Sequence, residues 1–172
     1  MTGVKVKREQ TDKDVGGRTT VDFEALYREE GRKIWGALFA FAGGDREVAE
    51  DALAESFVRA MEHTGLIENP LAYIYTIAFR AAKADVRARG KEPTTPTTHP
   101  SDEPQDLSDL IWALKKLSPG QRAAVVLHYE VGLPVAEIAE ISGVSASTVK
   151  VQLHRGRNKL RSLLGTEEVT ND

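Results

Sequence analysis

A proline-rich break decides what this 172-residue chain can become. Between Lys91 and Gln105 it reads KEPTTPTTHPSDEPQ, with Pro93, Pro96, Pro100 and Pro104 and no apolar side chain larger than proline. Proline lacks the N–H that helices and ladders need, so this stretch builds neither a regular element nor a core. Folded structure must therefore lie in two small pieces on either side. The organisation expected is a flexible tail at 1–20, a first domain at 21–90, a linker at 91–106, a second domain at 107–165 and an acidic tail at 166–172. Mild proteolysis is expected to cut within the linker and leave two helical fragments; resistance there would count against the division.

Both pieces carry helical periodicity. Phe23, Leu26, Tyr27, Ile34, Leu38 and Phe41 recur at three- and four-residue steps until Gly43-Gly44 stops them. Asp45 can cap a second helix running to about His63, with an apolar stripe of Val48, Leu53, Phe57 and Met61. Asn69-Pro70 supplies a cap and a first-turn proline for a third helix, to about Arg89. Beyond the linker, Leu107, Leu110, Ile111 and Leu114 mark a short amphipathic helix, and Ser118-Pro119 starts another that ends near Gly132. Val135 to Ser142 forms a short helix, Gly143-Val144-Ser145 a tight turn, and Ala146 to Leu164 a longer helix striped by Val149, Leu153, Leu160 and Leu164. That succession is helix-turn-helix geometry. No segment sustains period-two alternation, so the fold class expected is all-α, two small helical domains. The opening MTGVKVKREQTDKDVGGRTT has no apolar core and reads as neither signal peptide nor membrane span.

Charge narrows the function. With 23 Lys plus Arg against 26 Asp plus Glu, the net charge is -3, and any contact with nucleic acid must be local. The last long helix supplies such a place. Opposite its apolar stripe lie Ser147, Lys150, Val151, His154, Arg155 and Arg161, with Arg157 at the border, and no acid interrupts Ser147 to Arg161. Ser147, Thr148, Lys150 and Val151, nearest the helix start, are placed for base edges in a major groove, and Arg155, Arg157 and Arg161 for phosphates. A solvated charged face explains the same cations, but not the preceding short helix and glycine turn. The third helix carries Tyr73, Thr76, Arg80, Lys83 and Arg87 on one face, suited to a DNA backbone and, through the aromatic ring, to an unpaired base. The second helix instead concentrates Asp45, Glu47, Glu50, Asp51, Glu55 and Glu62, a surface for a basic protein partner or simply a solubilising one.

Catalysis is not expected. The chain has no Cys, which removes disulfides, thiolate zinc sites and cysteine nucleophiles, and a soluble cytoplasmic protein is the default. His63, His99, His128 and His154 are scattered without a carboxylate at metal-site spacing, Glu50 and Asp51 are adjacent and not on one helical face, and Gly43-Gly44 lacks a phosphate-loop context. No metal, cofactor or enzymatic activity is anticipated.

At this point the residues resemble the extracytoplasmic-function group of RNA polymerase sigma factors, in the right order over about 20 to 165. VAEDALAESFVRAM is similar to that family's region-two signature at Ala49, Glu50, Asp51, Glu55, Phe57 and Arg59. NPLAYIYTIAFRAAKADVRARG resembles the promoter-contacting helix that follows, and the stretch from Leu117 to Leu164 resembles region four almost throughout. The resemblance implies a first domain that docks its second helix on the polymerase through Asp51, Ala54, Glu55 and Arg59 and opens the downstream promoter element. It implies a second domain that reads the upstream element, and an anti-sigma factor as a further partner. The chain departs from the family's usual residues at Ala54, Met61, Tyr73, Arg80, Ala84, Val151 and Gly156, and Val151 in place of a serine suggests apolar contact with a thymine methyl. Two rivals stand beside this reading: a stand-alone regulator binding its operator as a dimer, with the first domain as a sensor, and an anti-sigma-like interaction protein. The acidic second helix separates them, since only a sigma factor needs it for polymerase.

Overall fold

Side-chain caps set where the helices begin. In the computed structural model, which describes residues 11–13, 19–90 and 105–165, Asp22, Asp45 and Asn69 each accept a hydrogen bond from the backbone N–H three residues on, at 2.9, 3.2 and 3.1 Å. They open α1 (Phe23–Phe41), α2 (Arg46–Glu62) and α3 (Pro70–Arg89). The second half has α4 (Gln105–Lys115) and then α5 (Pro119–Val125), where Ser118 and Gln121 cap each other reciprocally. A π-helical turn, Val126–Glu130, extends α5 before α6 (Val135–Ser142) and α7 (Ala146–Leu164). The two-domain, all-helical reading holds. Within the stretch read as a tail, Thr11–Lys13 pairs antiparallel with Thr19–Val21, a ribbon too short to show as alternation. Residues 1–10 and 14–18, the linker at 91–104 and the acidic tail at 166–172 lie outside the described residues.

The two halves, separate in sequence, share one apolar core. Ile34, Leu38 and Phe41 of α1 pack with Val48 and Phe57 of α2 and Ile74, Ala78 and Phe79 of α3. The same cluster continues through Leu114, Leu127, Ile138 and Val149 of the second half. The joining surfaces are α3 against α6 and α1 against the π turn, α4 and α5. Tyr75 is buried at this seam; burial pushes its hydroxyl above the ordinary tyrosine range, and Glu30 of the first half and Glu130 of the second add to the shift.

Five residues of the expected apolar stripes face outward: Met61 is 61% exposed, Tyr27 52%, Leu164 42%, Leu110 40% and Leu107 37%. Each four-residue step overshoots a full turn by ~40°, so the series Leu53, Phe57, Met61 rotates off the inward face. Small side chains complete that face: Ala49, Ala52, Ser56 and Ala60 are fully buried, and Ser56 donates its hydroxyl proton to the Leu53 carbonyl at 2.7 Å. Tyr27 instead lays its ring edge-on against Phe57, centroids 5.1 Å apart. Gly156 has a comparable reason: a Cβ there would stand 2.8 Å from Val125 Cγ2, where α7 crosses α5.

Candidate nucleic-acid interface

The turn before α7 is built by its own sequence. Gly143 ends α6 in the left-handed region, φ 67° and ψ 33°, and its N–H reaches Glu140 O while that of Val144 reaches Ala139 O at 3.1 Å. This Schellman closure satisfies the last carbonyls of α6 and needs a residue without Cβ strain at position 143. Ser145 then caps α7, its Oγ accepting from Thr148 N at 3.1 Å and lying within 2.9 Å of the Ser147 and Thr148 hydroxyls. A rigid start to α7 results.

Val149 is fully buried and fixes which way α7 turns. Ser147, Thr148, Lys150, Val151, His154, Arg155, Arg157 and Arg161 are all exposed in consequence. Val151, 47% exposed, is an apolar spot among cations. The π turn brings His128 and Tyr129 against this helix, and with Lys150, Leu153, His154 and Arg157 they line a shallow cleft of about 190 Å³. His128 Nδ1 is 3.0 Å from the Leu133 carbonyl, so that nitrogen carries the proton and donates. Neither His128 nor Tyr129 was a candidate from sequence. The extra residue of a π turn shifts helical register, and no periodicity announces it.

On α3, Arg80, Lys83 and Arg87 are exposed, whereas Tyr73 and Thr76 are half-buried. Thr76 donates its hydroxyl proton to the Ala72 carbonyl at 2.8 Å, and the Tyr73 ring lies 5.3 Å from that of His63. Arg89 is held by Asp45 and Glu47, both at 3.1 Å, and the Glu47 hydrogen bond raises its pKa first, with Asp45 adding. It ties α3 to the start of α2.

The α2 face is separate again. Asp51, Ala54 and Arg59 are exposed and Glu55 partly so, paired with Arg59 at 2.6 Å. Val58, 49% exposed, and Met61 adjoin them, so acid and apolar surface run together along this helix. The apolar part was missed because Met61 had been assigned inward. Three faces on three helices result; among the described residues no three His, Asp or Glu cluster to hold a metal ion, and no helix is long and apolar enough to cross a membrane.

Comparison with known proteins follows the same division. Residues 108–160 match the family model described as Sigma-70, region 4. The RNA polymerase sigma factor CarQ of Myxococcus xanthus is 31% identical over 160 residues, covering 86% of this chain and 91% of CarQ. The ECF RNA polymerase sigma factor SigL of Mycobacterium tuberculosis is 30% identical over 161 residues, covering 85% of this chain and 90% of SigL. Among solved structures, the sigma factor RpoE in complex with the anti-sigma factor NepR from Bartonella quintana superimposes with a TM-score of 0.70 at 24% identity, over 85% of this chain and 98% of RpoE. That likeness concerns the fold, and it takes in both halves.

Proposed function

We propose a division of labour for this chain, which belongs to the extracytoplasmic-function RNA polymerase sigma factors: α2 docks on polymerase, α3 engages the downstream promoter element and α7 reads the upstream one. The chain binds core RNA polymerase and directs promoter-specific initiation of transcription. Bond formation belongs to the polymerase, so the chain itself is not an enzyme, and its place of work is the cytoplasm. By likeness to RpoE, crystallised with NepR, an anti-sigma factor is an expected partner.

One observation carries the assignment of roles: the exposed face of α7 holds Lys150, Arg155, Arg157, Lys159 and Arg161 without an acidic residue, in a chain of net charge -3. A phosphate backbone rewards such a face by releasing counterions, whereas a protein partner would not require a helix-turn-helix behind it. The decisive experiment adds purified chain to core polymerase and sequences the 5′ ends of the transcripts on genomic DNA. A recurrent pair of upstream and downstream elements is expected; unselective starts would refute the proposal.

The α7 roles separate by salt and by sequence. Lys150→Ala and Arg155→Ala are each expected to weaken upstream-element binding and to lower the salt dependence by about 0.9 in log–log slope per lost phosphate contact. Ser147→Ala and Val151→Ala instead change which sequence is preferred, by about 1–3 kcal/mol per contact, with little effect on the slope. Titration of a randomised upstream library at two salt concentrations distinguishes the two behaviours, and unchanged ranking for Ser147→Ala and Val151→Ala would remove them from the reading surface.

A further inference from the structure

The helix before the turn motif does not end as an α-helix. From Val126 to Glu130 the backbone widens into the π turn, closed by the Val131 N–H on the Val126 carbonyl at 3.2 Å, and the wider turn swings His128 and Tyr129 towards α7. Their rings meet edge-on, centroids 4.9 Å apart. His128 is half-buried and Tyr129 57% exposed, and the pair forms one side of the cleft whose other members are Lys150, Leu153, His154 and Arg157 of α7. No carboxylate lines it. Two fixed cations, two imidazoles and a phenol make a donor set for an oxyanion. The cleft's 190 Å³ equals ~six waters at ~30 Å³ each, room for one phosphate group with part of its hydration.

Hydrogen bonds already made decide when the imidazoles can join. His128 Nδ1 gives its proton to the Leu133 carbonyl at 3.0 Å, so in the neutral ring Nε2 is a bare acceptor that a phosphate repels; only the imidazolium offers an N–H there. His154 Nε2 is 3.1 Å from the Asn158 amide nitrogen, which donates to the neutral ring. Protonation there turns the amide so that its oxygen accepts, and adds a full charge beside Lys150 and Arg157. Histidine is the side-chain type whose ordinary charge change falls between about pH 5 and 8. Other charged groups stand on the elements packed around the two rings: Glu130 beside them, Glu30 and Lys33 of α1, Arg122 of α5, Glu137 and Glu140 of α6, Asp109, Lys115 and Lys116 of α4, and Arg155 on α7 itself. None of these lines the cleft, so its own members and its ligand set the charge balance inside it.

The cleft also stands where a groove wall would be. An α-helix is ~10–12 Å across and the major groove ~12 Å wide, so a helix lying in the groove fills it, and groups beside the helix meet the sugar-phosphate strands. The π turn stands beside α7 in this way, along Lys150 to Arg157.

We propose that the cleft between the π turn and α7 is a phosphate subsite for the wall of the upstream element's major groove, where Tyr129 and the protonated His128 and His154 join Lys150 and Arg157, so that the grip on this element strengthens as pH falls. The proposal rests on the reading of α7 as the recognition helix. A histidine that gains a phosphate partner holds its proton more tightly in the complex than in the free chain. Affinity is therefore greatest below the histidine range and declines as pH rises through it.

The test uses the full-length chain and a short rhodamine-labelled duplex, the tightest binder from the randomised upstream library, with anisotropy read between about pH 5.5 and 8.5 at fixed ionic strength. Kd is expected to rise about tenfold across that range, and the salt slope to fall by up to ~0.9 for each histidine that loses its phosphate contact. His128→Asn, which keeps a donor for the Leu133 carbonyl, and His154→Gln are each expected to remove part of the rise, and together to leave less than a twofold change. Tyr129→Phe is expected to weaken binding about threefold at every pH. Circular dichroism at both ends of the range shows that each variant is folded. His63 and His99 remain in the double variant, so a tenfold rise that persists there belongs to them and overturns the subsite, as does a wild-type Kd indifferent to pH. An unchanged Kd for Tyr129→Phe removes the phenol from it. Arg155, outside the cleft, separates this proposal from the reading beneath it. If Arg155→Ala loses affinity while the histidine variants behave as wild type, α7 reads the duplex and the subsite falls; if Arg155→Ala also binds unchanged, the recognition-helix reading falls and takes the subsite with it.

Discussion

Reversing Asp51 and Glu55 to lysine is expected to abolish binding to core polymerase while α7 still binds the upstream element normally. The two carboxylates lie one turn apart on the exposed face of α2 and project beside Ala54, Val58 and Met61. If that face meets a basic surface, the double reversal turns attraction into like-charge contact, which across an interface costs several kcal/mol; every ~1.4 kcal/mol is tenfold in Kd. The change within the chain is far smaller. The Glu55 pair with Arg59 is a surface i,i+4 bridge of ~0.3–0.5 kcal/mol, and lysines at the sixth and tenth of the helix's 17 residues lie beyond the first turn, so each opposes the dipole by less than ~1 kcal/mol. Unaltered helicity with lost co-purification on core polymerase is the predicted outcome. A folded double variant that initiates normally would show that α2 is not the docking surface.

The reading of function survived because its signals are local. Caps at Asp45, Asn69 and Ser118, the tight turn at Gly143 and the acid-free run of α7 each depend on residues within a turn of one another, and the structure places them as the spacing predicts. What escaped is non-local or register-dependent. Met61 looked like core because large apolar residues were followed and the alanines that fill α2's inner face were not. The π turn moved His128 and Tyr129 to α7 without any compositional trace. Arg122 lies in the stretch that resembles region four, yet nothing in its neighbourhood foretold a partner 81 residues away at Phe41. The proline-rich stretch predicts two helical pieces, and no sequence pattern in either says that Phe79 and Ile138 belong to one core.

That shared core leads to the largest effect on stability. Phe41 is 1% exposed, its ring lies 5.2 Å from that of Phe79 and beneath Arg122, and its carbonyl takes the Arg122 hydrogen bond. Phe41→Ala removes the ring from the meeting point of α1, α3 and α5, and burial of this kind is worth about 3–5 kcal/mol. A domain of ordinary stability has ~5–15 kcal/mol in all, so the variant is expected to lose a large share of its stability. How the loss is distributed tests the seam. The chain has two tryptophans, Trp35 in α1 and Trp112 in α4, one reporter for each half. Trp112→Phe and Trp35→Phe backgrounds isolate each signal, and in both Phe41→Ala is expected to lower the urea midpoint by the same amount, because the halves unfold together. If only the Trp35 signal moved, the two domains would be thermodynamically independent, and the contact at Arg122 would be too weak to couple them.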